Sequence, residues 1–152
     1  YITLDIGSRQ GIAPRMGVIT ETGVVGIIQN VSNHYSKASS ILHIDSKLSA
    51  KVKSSGVSGS LQWQPGDHRV AQLKEIPKHY DDIAIGDTIV TSGYSIVFPA
   101  NHPIGTVSSI DVLSGQNFYT MEVNLLVDLG KLDLVYIVEH RLKEEILSLE
   151  NE

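Results

Sequence analysis

Residues 119–127 read Tyr-Thr-Met-Glu-Val-Asn-Leu-Leu-Val, so large apolar side chains alternate with mostly polar ones. Successive side chains of a β-strand point to opposite faces, and this period of two therefore predicts a strand with one buried and one mostly solvated face. Residues 48–52 repeat the pattern over a shorter length. Residues 132–138 are apolar at nearly every position, which predicts a strand that is covered on both faces.

Turn-forming residues separate the apolar segments at short intervals. Glu21-Thr22-Gly23 lies between two apolar runs, which predicts a β-hairpin whose glycine has a positive φ. Pro65-Gly66 likewise separates a strand ending at Trp63 from one that begins near Arg69. Many short strands of this kind are typical of a sandwich or a barrel, and the 13 glycines supply the bulges and corners that small closed sheets need. The sequence predicts an all-β fold.

The domain organisation is predicted from one stretch of small residues and one helical pattern. Ser54–Gly59 is rich in serine and glycine, as linkers are, and predicts a boundary between β domains at 1–55 and 56–131. Both domains are expected to be small and barrel-like, and the strand at 132–139 is expected to return and complete the first. A short C-terminal helix is predicted over 140–152 because its leucines and isoleucine recur at helical spacing.

The composition excludes several classes of protein. The net charge of −5 and the aromatic content of 6% argue against a nucleic-acid binder, which needs basic patches and stacking rings. Because the chain has no cysteine, it contains no disulfide framework, thiolate metal site or cysteine nucleophile. No apolar run reaches the roughly 20 residues of a membrane helix. The chain begins at Tyr1 rather than Met, so we expect any membrane anchor to lie upstream.

Three stretches carry an ordered set of glycine, proline and hydroxyl residues. They are DIGSRQGI at 5–12 followed by Met-Gly-Val at 16–18, then GVVGII at 23–28, and finally IGDTIVTSG at 85–93 followed by VFP at 97–99 and PIGTV at 103–107. In this order and spacing they resemble the MreC family of rod shape-determining proteins. Two places depart from the family pattern: Ala100-Asn101, where the family has a basic residue and glycine, and 94–96, where it has a glycine-rich loop. Asn tolerates positive φ nearly as well as glycine, so the turn can be kept.

The third stretch also has a structural interpretation that needs no family. Gly86-Asp87 predicts a turn before a strand, and Thr91-Ser92-Gly93 is expected to end that strand with its hydroxyl groups bonded to loop amides. Phe98-Pro99 is expected to plug the mouth of a barrel, and Pro103 to fix the entry into the next strand. These roles are structural, so Ser92 is not expected to be reactive.

The resemblance implies a protein with one membrane span and a coiled coil, followed by two small β-barrel-like domains on the periplasmic face of the bacterial inner membrane. It implies partners in the cell-wall elongation machinery, namely MreD, RodZ, the MreB-linked elongation complex and a class B penicillin-binding transpeptidase that the family binds and activates. It also implies self-association as a dimer or filament. We therefore expect a non-enzymatic scaffold that maintains rod shape, with no catalytic residue, cofactor or metal.

Two other functions are weighed against the scaffold. A serine hydrolase on a double barrel would use Ser92, but no nucleophile-elbow sequence surrounds this residue. A glycan-binding module would need exposed aromatic residues, of which the chain offers Trp63 and six tyrosines. Two sets of residues were weighed as metal ligands and lack ligand spacing: His34 with His43 and Asp45, and His68 with His79, Asp81 and Asp82.

Binding surfaces are expected where a small barrel leaves apolar side chains uncovered. The candidates lie on a predicted edge strand, on the loop that follows it, and between the turn signals around residues 94–98. They are Ile2, Leu4, Ile12, Tyr94, Ile96, Val97 and Phe98.

Overall fold

The computed structural model describes residues 1–42, 48–63, 66–77, 83–93, 97–111, 118–128, 132 and 134–139. Over these residues the chain forms eleven strands and one turn of 3₁₀ helix at Ser8–Gln10, which confirms the all-β prediction. The strands are β1 (Ile2–Leu4), β2 (Gly17–Ile19), β3 (Val24–Val31), β4 (Ser36–Ser40), β5 (Leu48–Val52), β6 (Ser58–Gln62), β7 (Val70–Pro77), β8 (Thr88–Thr91), β9 (Pro103–Asp111), β10 (Phe118–Leu125) and β11 (Tyr136–Val138).

Six strands close into a barrel in the order β10-β7-β6-β5-β8-β9, and every neighbouring pair is antiparallel. The alternation seen in the sequence explains the core, because Met121, Val123 and Leu125 point inward from β10 and are buried. Residues 48–52 behave in the same way: Leu48, Ala50 and Val52 are buried while the serine and lysine between them are half-buried.

The other five strands form a sheet in the order β1-β4-β3-β2-β11, in which β1 and β11 are the edges. Its hydrophobic core contains Leu4, Val18, Val25 and Ile28, with Val127 from the segment after β10. The predicted hairpin between β2 and β3 is present. Gly23 does not have the predicted positive φ; a Cβ there would lie 2.9 Å from the Pro103 carbonyl oxygen, so this glycine serves a close approach of the barrel instead.

The boundary expected between residues 55 and 56 does not coincide with the division between the barrel and the five-stranded sheet. β5 pairs with β6 and β8 in the barrel, and Ser54–Gly56 is the turn of the β5–β6 hairpin, with Gly56 at φ +77. Serine and glycine suit a tight turn as well as a linker, which is why composition alone misplaced the division by one strand. β11 pairs with β2, so the end of the described chain does return to the first sheet. The helix expected over 140–152 lies outside the described residues.

The barrel and the sheet pack directly on each other. Val24 of β3 belongs to the hydrophobic cluster of the barrel, and Ile19, Ile27 and Val138 pack against that cluster. Phe98, which is fully buried, lies against Gly17 at the start of β2. The loop between β8 and β9 therefore helps to join the barrel to the sheet.

Candidate functional site

The loop from Thr91 to Pro103 is held by the side chain that ends β8. The Thr91 hydroxyl donates to the Pro99 carbonyl at 2.7 Å and accepts from the His102 amide at 2.9 Å. The Thr91 carbonyl accepts from the Asn101 amide at 3.0 Å. Asn101 has φ +73, so it occupies the left-handed conformation, which asparagine tolerates better than most residues. These contacts confirm the structural interpretation of the Thr91 hydroxyl.

Ser92 also has a structural contact. Its Oγ lies 2.8 Å from Ser49 Oγ, and the two residues join the end of β8 to β5. Gly93 follows at φ +83, where a Cβ would lie 2.8 Å from that of Ala100. Among the residues that the structure describes, no three His, Asp or Glu side chains converge as a metal site would require.

The expected surface residues divide into three groups. Ile2 and Ile12 are half-buried beside the core of the sheet, and Leu4 is buried in it. Val97 and Phe98 are buried in the barrel cluster, so the expectation that they form an exposed surface is wrong. Apolar residues between turn signals look the same in a sequence whether they plug a barrel or face solvent. Tyr94 and Ile96 lie outside the described residues.

Exposed apolar side chains lie at the segment between β10 and β11, which leads from the barrel back to the sheet and which we call the connector. Leu134 and Tyr136 expose 66% and 44% of their surface and line the same cavity, and we call these two residues the connector patch. This cavity measures about 350 Å³ and lies between the connector and the tip of the β2–β3 hairpin. It is lined by Thr20, Glu21, Thr22, Val127, Asp128, Leu132, Leu134 and Tyr136.

Ionic contacts hold the start of the connector against the barrel. Arg69 donates to the Leu125 carbonyl at 3.1 Å and lies 3.7 Å from Asp128, and His68 lies 3.7 Å from the same carboxylate. The prediction that residues 132–138 are covered on both faces is wrong, because Leu134, which precedes β11, is 66% exposed and Tyr136 within β11 is 44% exposed. An all-apolar strand at the edge of a sheet gives no sequence signal of which face is uncovered.

A second cavity, of about 220 Å³, lies at the opposite edge of the sheet, and we call it the edge cavity. It is lined by Thr3, Asn30, Val31, Ser32, Tyr35, Ser36 and Lys37. Tyr35 on its rim is 55% exposed, whereas Ser36 is only 3% exposed. The Ser36 hydroxyl has no hydrogen-bond partner among the described residues. Sequence reasoning did not find this site, because serine in the run SKASS resembles a solvated strand end.

The turn that carries Tyr35 is tightly held. The Ser32 amide donates to the Tyr35 carbonyl at 2.8 Å, and the Tyr35 amide donates to the Ser32 hydroxyl at 3.3 Å. The 3₁₀ turn packs behind it, with the Ser8 amide donating to the Ser32 carbonyl at 2.8 Å. On the neighbouring strand, Lys37 Nζ lies 4.1 Å from the centre of the Tyr1 ring. The edge cavity therefore has a fixed rim that combines an aromatic ring and a cation.

Comparison with known proteins assigns the family. The family model described as "Rod shape-determining protein MreC, barrel core" matches residues 1–139. The chain belongs to the MreC family. Among MreC relatives, the cell shape-determining protein MreC of Listeria monocytogenes is 30% identical over 72% of this chain and 38% of its own length. MreC of Escherichia coli K12 is 31% identical over 79% of this chain and 32% of its own length. The chain thus spans about a third of the length of these two MreC proteins.

Solved MreC structures share the fold. MreC of Listeria monocytogenes superposes with a TM-score of 0.84 at 24% identity, covering 91% of this chain and 67% of that chain. MreC of Pseudomonas aeruginosa gives a TM-score of 0.83 at 23% identity, with 90% and 87% covered. A structure of MreC in complex with the penicillin-binding protein PBP2 from Helicobacter pylori gives 0.68 at 20% identity, with 82% and 77% covered.

The described part of the chain contains no helix that is long and apolar enough to cross a membrane.

Proposed function

We propose that this chain is a non-enzymatic scaffold of cell-wall elongation that maintains rod shape by binding and activating a class B penicillin-binding transpeptidase. Membership of a cell shape-determining family supports the role. The complex of PBP2 with MreC from Helicobacter pylori, which has the same fold, supports the choice of partner.

The observation that carries the proposal is that the hydroxyl groups of the family motif have structural contacts, whereas large apolar side chains are exposed. The hydroxyl of Thr91 in the family motif bonds to loop backbone, and that of Ser92 bonds to Ser49 on another strand, so both hold the barrel in shape. Large apolar side chains are exposed together in the connector patch instead, where a partner would bury them. This arrangement supports a protein that acts by binding partners at its surface.

The remaining partners belong to the same proposal. We include self-association as a dimer or filament, contacts with MreD, RodZ and the MreB-linked complex, and a position on the periplasmic face of the inner membrane, held by an upstream membrane segment. One of the matched solved structures is the major periplasmic domain of MreC, which is described as a filament protein, and this supports the location and the self-association. Ile2 on the edge strand β1 and Ile12, which are both half-buried against the core of the sheet, are proposed for a second contact.

The test measures binding between this chain and the extracytoplasmic region of its cognate class B transpeptidase by biolayer interferometry. The unmodified chain is expected to bind, and Leu134→Asp is expected to weaken binding at least tenfold because it places a charge in the connector patch. Ile85→Asp is the matched control, since Ile85 is 69% exposed, outside the patch, and its change is expected to leave the affinity within about twofold.

One result would overturn the proposal, and another would change only the surface assigned to it. No binding between folded partners would contradict the scaffold role. Equal affinities for the two aspartate variants would leave the role intact and remove the connector patch from the interface.

A further inference from the structure

We propose that residues 140–152, which we call the tail, turn back after β11 and bind the connector patch of the same chain. The tail binds through Leu142, Ile146 and Leu149, and a partner reaches the patch only by displacing it. The docking of the tail is independent of the proposed function. Its role as a competitor of the transpeptidase rests on that function.

The first support is that the cavity beside the connector patch calls for an apolar occupant. Three of the four polar residues that line it already have contacts: Thr20 Oγ1 lies 3.1 Å from Thr22 Oγ1, and the Asp128 carboxylate lies 3.7 Å from Arg69. The fourth, Glu21, is exposed to water. The exposed apolar groups of the patch are therefore what an occupant can bury with a gain in free energy.

The second support is the pattern of the tail, for which the sequence predicts an amphipathic helix. Leu142, Ile146 and Leu149 recur at i, i+4 and i+7, so a helix places them on one face. A helix of this length is marginal in water by itself, and most of the stability of such helices comes from packing an apolar face. The tail therefore needs an apolar surface, and the connector patch offers one.

The third support is that the tail can reach the patch. Four residues separate Leu134 from Val138 at the end of β11, so the patch and the tail are at most roughly 14 Å apart along the chain. The apolar face from Leu142 to Leu149 is about 10 Å long in a helix, and residues 139–141 suffice for a turn between a strand and a helix. β11 is an edge of the sheet, so a segment can lie beside it without displacing a described strand.

Attachment to β11 also favours the tail over a separate molecule as the occupant. A segment joined by a few residues has an effective concentration in the millimolar range, so even weak apolar contacts hold it in place. The exposed rings of Tyr1 and Tyr35 offer no equivalent site, because they lie towards the β1 edge, and three strands separate β1 from β11.

The test follows the tail with a nitroxide label in the whole chain. The label is attached at Ser148→Cys, away from the apolar face, and it reacts at this one site because the chain has no cysteine of its own. In two-dimensional NMR spectra it is expected to broaden the amide signals of residues 20–22, 127–128 and 134–136. The signals of residues 35–37, towards the other edge of the sheet, are expected to stay sharp.

Ile146→Asp in the labelled chain is the diagnostic variant, because it places a charge in the apolar face. It is expected to reduce the broadening at residues 20–22 by about threefold or more, as the docked population falls. Leu147→Asp is the matched control: it makes the same kind of change about 100° further around the helix, and it is expected to leave the broadening in place.

Three results would overturn the docking of the tail: broadening that Ile146→Asp leaves unchanged, an equal loss in both aspartate variants, or broadening centred on residues 35–37. A mixture of labelled chains with unlabelled, isotope-enriched chains distinguishes the tail of a second copy. Broadening of residues 20–22 in that mixture would also overturn the proposal, whereas its absence supports docking within one chain.

Competition is measured separately, by the interferometry described above. Ile146→Asp is expected to bind the transpeptidase about threefold or more tightly than Leu147→Asp, because a larger fraction of the chains has an open patch. Equal affinities would overturn the role of the tail as a competitor. If the transpeptidase binds neither variant, the proposed function fails, and the NMR spectra alone decide whether the tail docks.

Discussion

The ring of Phe98 lies directly against the backbone of Gly17, so that one residue of the β8–β9 loop of the barrel occupies the space left by a missing side chain in the sheet. A Cβ on Gly17 would lie 2.7 Å from Phe98 Cδ1 and 2.9 Å from Val138 Cγ2, well inside normal contact distance. Phe98 is fully buried and belongs to the cluster that fills the barrel. The packing of the barrel on the sheet therefore depends on the absence of one methyl group.

We predict that Gly17→Ala lowers the free energy of unfolding by about 1–3 kcal/mol, the usual cost of forcing an extra group into a packed interior. Urea denaturation followed by tryptophan fluorescence measures the change. The control is the double variant with Phe98→Leu, which removes the clashing ring atoms. The double variant is expected to be more stable than the sum of the two single changes predicts, and strict additivity would contradict a direct contact.

Thr91→Val keeps the shape of the side chain and removes its hydroxyl. The Pro99 carbonyl then loses a donor and the His102 amide loses an acceptor, so we predict a loss of about 1–3 kcal/mol in unfolding free energy. Thr88→Val on the same strand is the control, because its side chain is half-buried, and it is expected to change stability by less than about 0.5 kcal/mol. Equal effects of the two variants would show that the loop does not depend on Thr91.

Asn101 has a backbone conformation that most residues avoid, with φ +73. We predict that Asn101→Gly leaves stability unchanged or raises it slightly, whereas Asn101→Ala costs about 1–2 kcal/mol through strain at Cβ. Thermal denaturation checks both, with a shift of about 2–4 °C expected for each kcal/mol in a chain of this length. If Asn101→Ala were more stable than Asn101→Gly, this result would contradict the left-handed conformation at residue 101.

Ser36→Ala tests whether the buried hydroxyl of Ser36 lacks a hydrogen bond in the free protein. Removing a buried polar group that has no partner relieves a desolvation penalty, so the unfolding free energy is expected to stay the same or rise by about 1 kcal/mol. Thr91→Val serves as the opposite case, in which a satisfied hydroxyl is lost. Chemical denaturation of the two variants side by side compares them, and a clear destabilisation by Ser36→Ala would mean that the hydroxyl has a structural bond.

Some features of this fold were predictable because they depend on neighbours along the chain. The turn at Gly86-Asp87 is present, with Gly86 at φ +96 and the Asp87 carboxylate accepting from the Ala84 amide. The strand end at Thr91 was also predicted correctly. Each follows from a local rule about side-chain hydrogen bonds or backbone freedom.

Other features depend on residues that are distant in the sequence and could not be predicted. The pattern around Phe98 predicts both a barrel plug and an exposed surface, and only the contact with Gly17, which lies six strands earlier in the chain, distinguishes them. In the same way, a glycine is needed at position 23 because the carbonyl oxygen of Pro103, which is distant in the sequence, lies close to it. Ser54–Gly56 has the composition of both a turn and a linker, and only the pairing of β5 with β8 distinguishes them.

β2 pairs with β11, and all six barrel strands belong to the loop of chain that connects these two neighbouring strands of the sheet. The ends of that loop meet at a large entropic cost if the intervening residues are unfolded, and at a much smaller cost once they have closed into a compact barrel. The barrel is therefore the part expected to form first during folding, and the last strand of the sheet then docks beside β2. A force applied to the two ends of the described chain would accordingly strip β1 or β11 from the sheet before it reached a barrel strand.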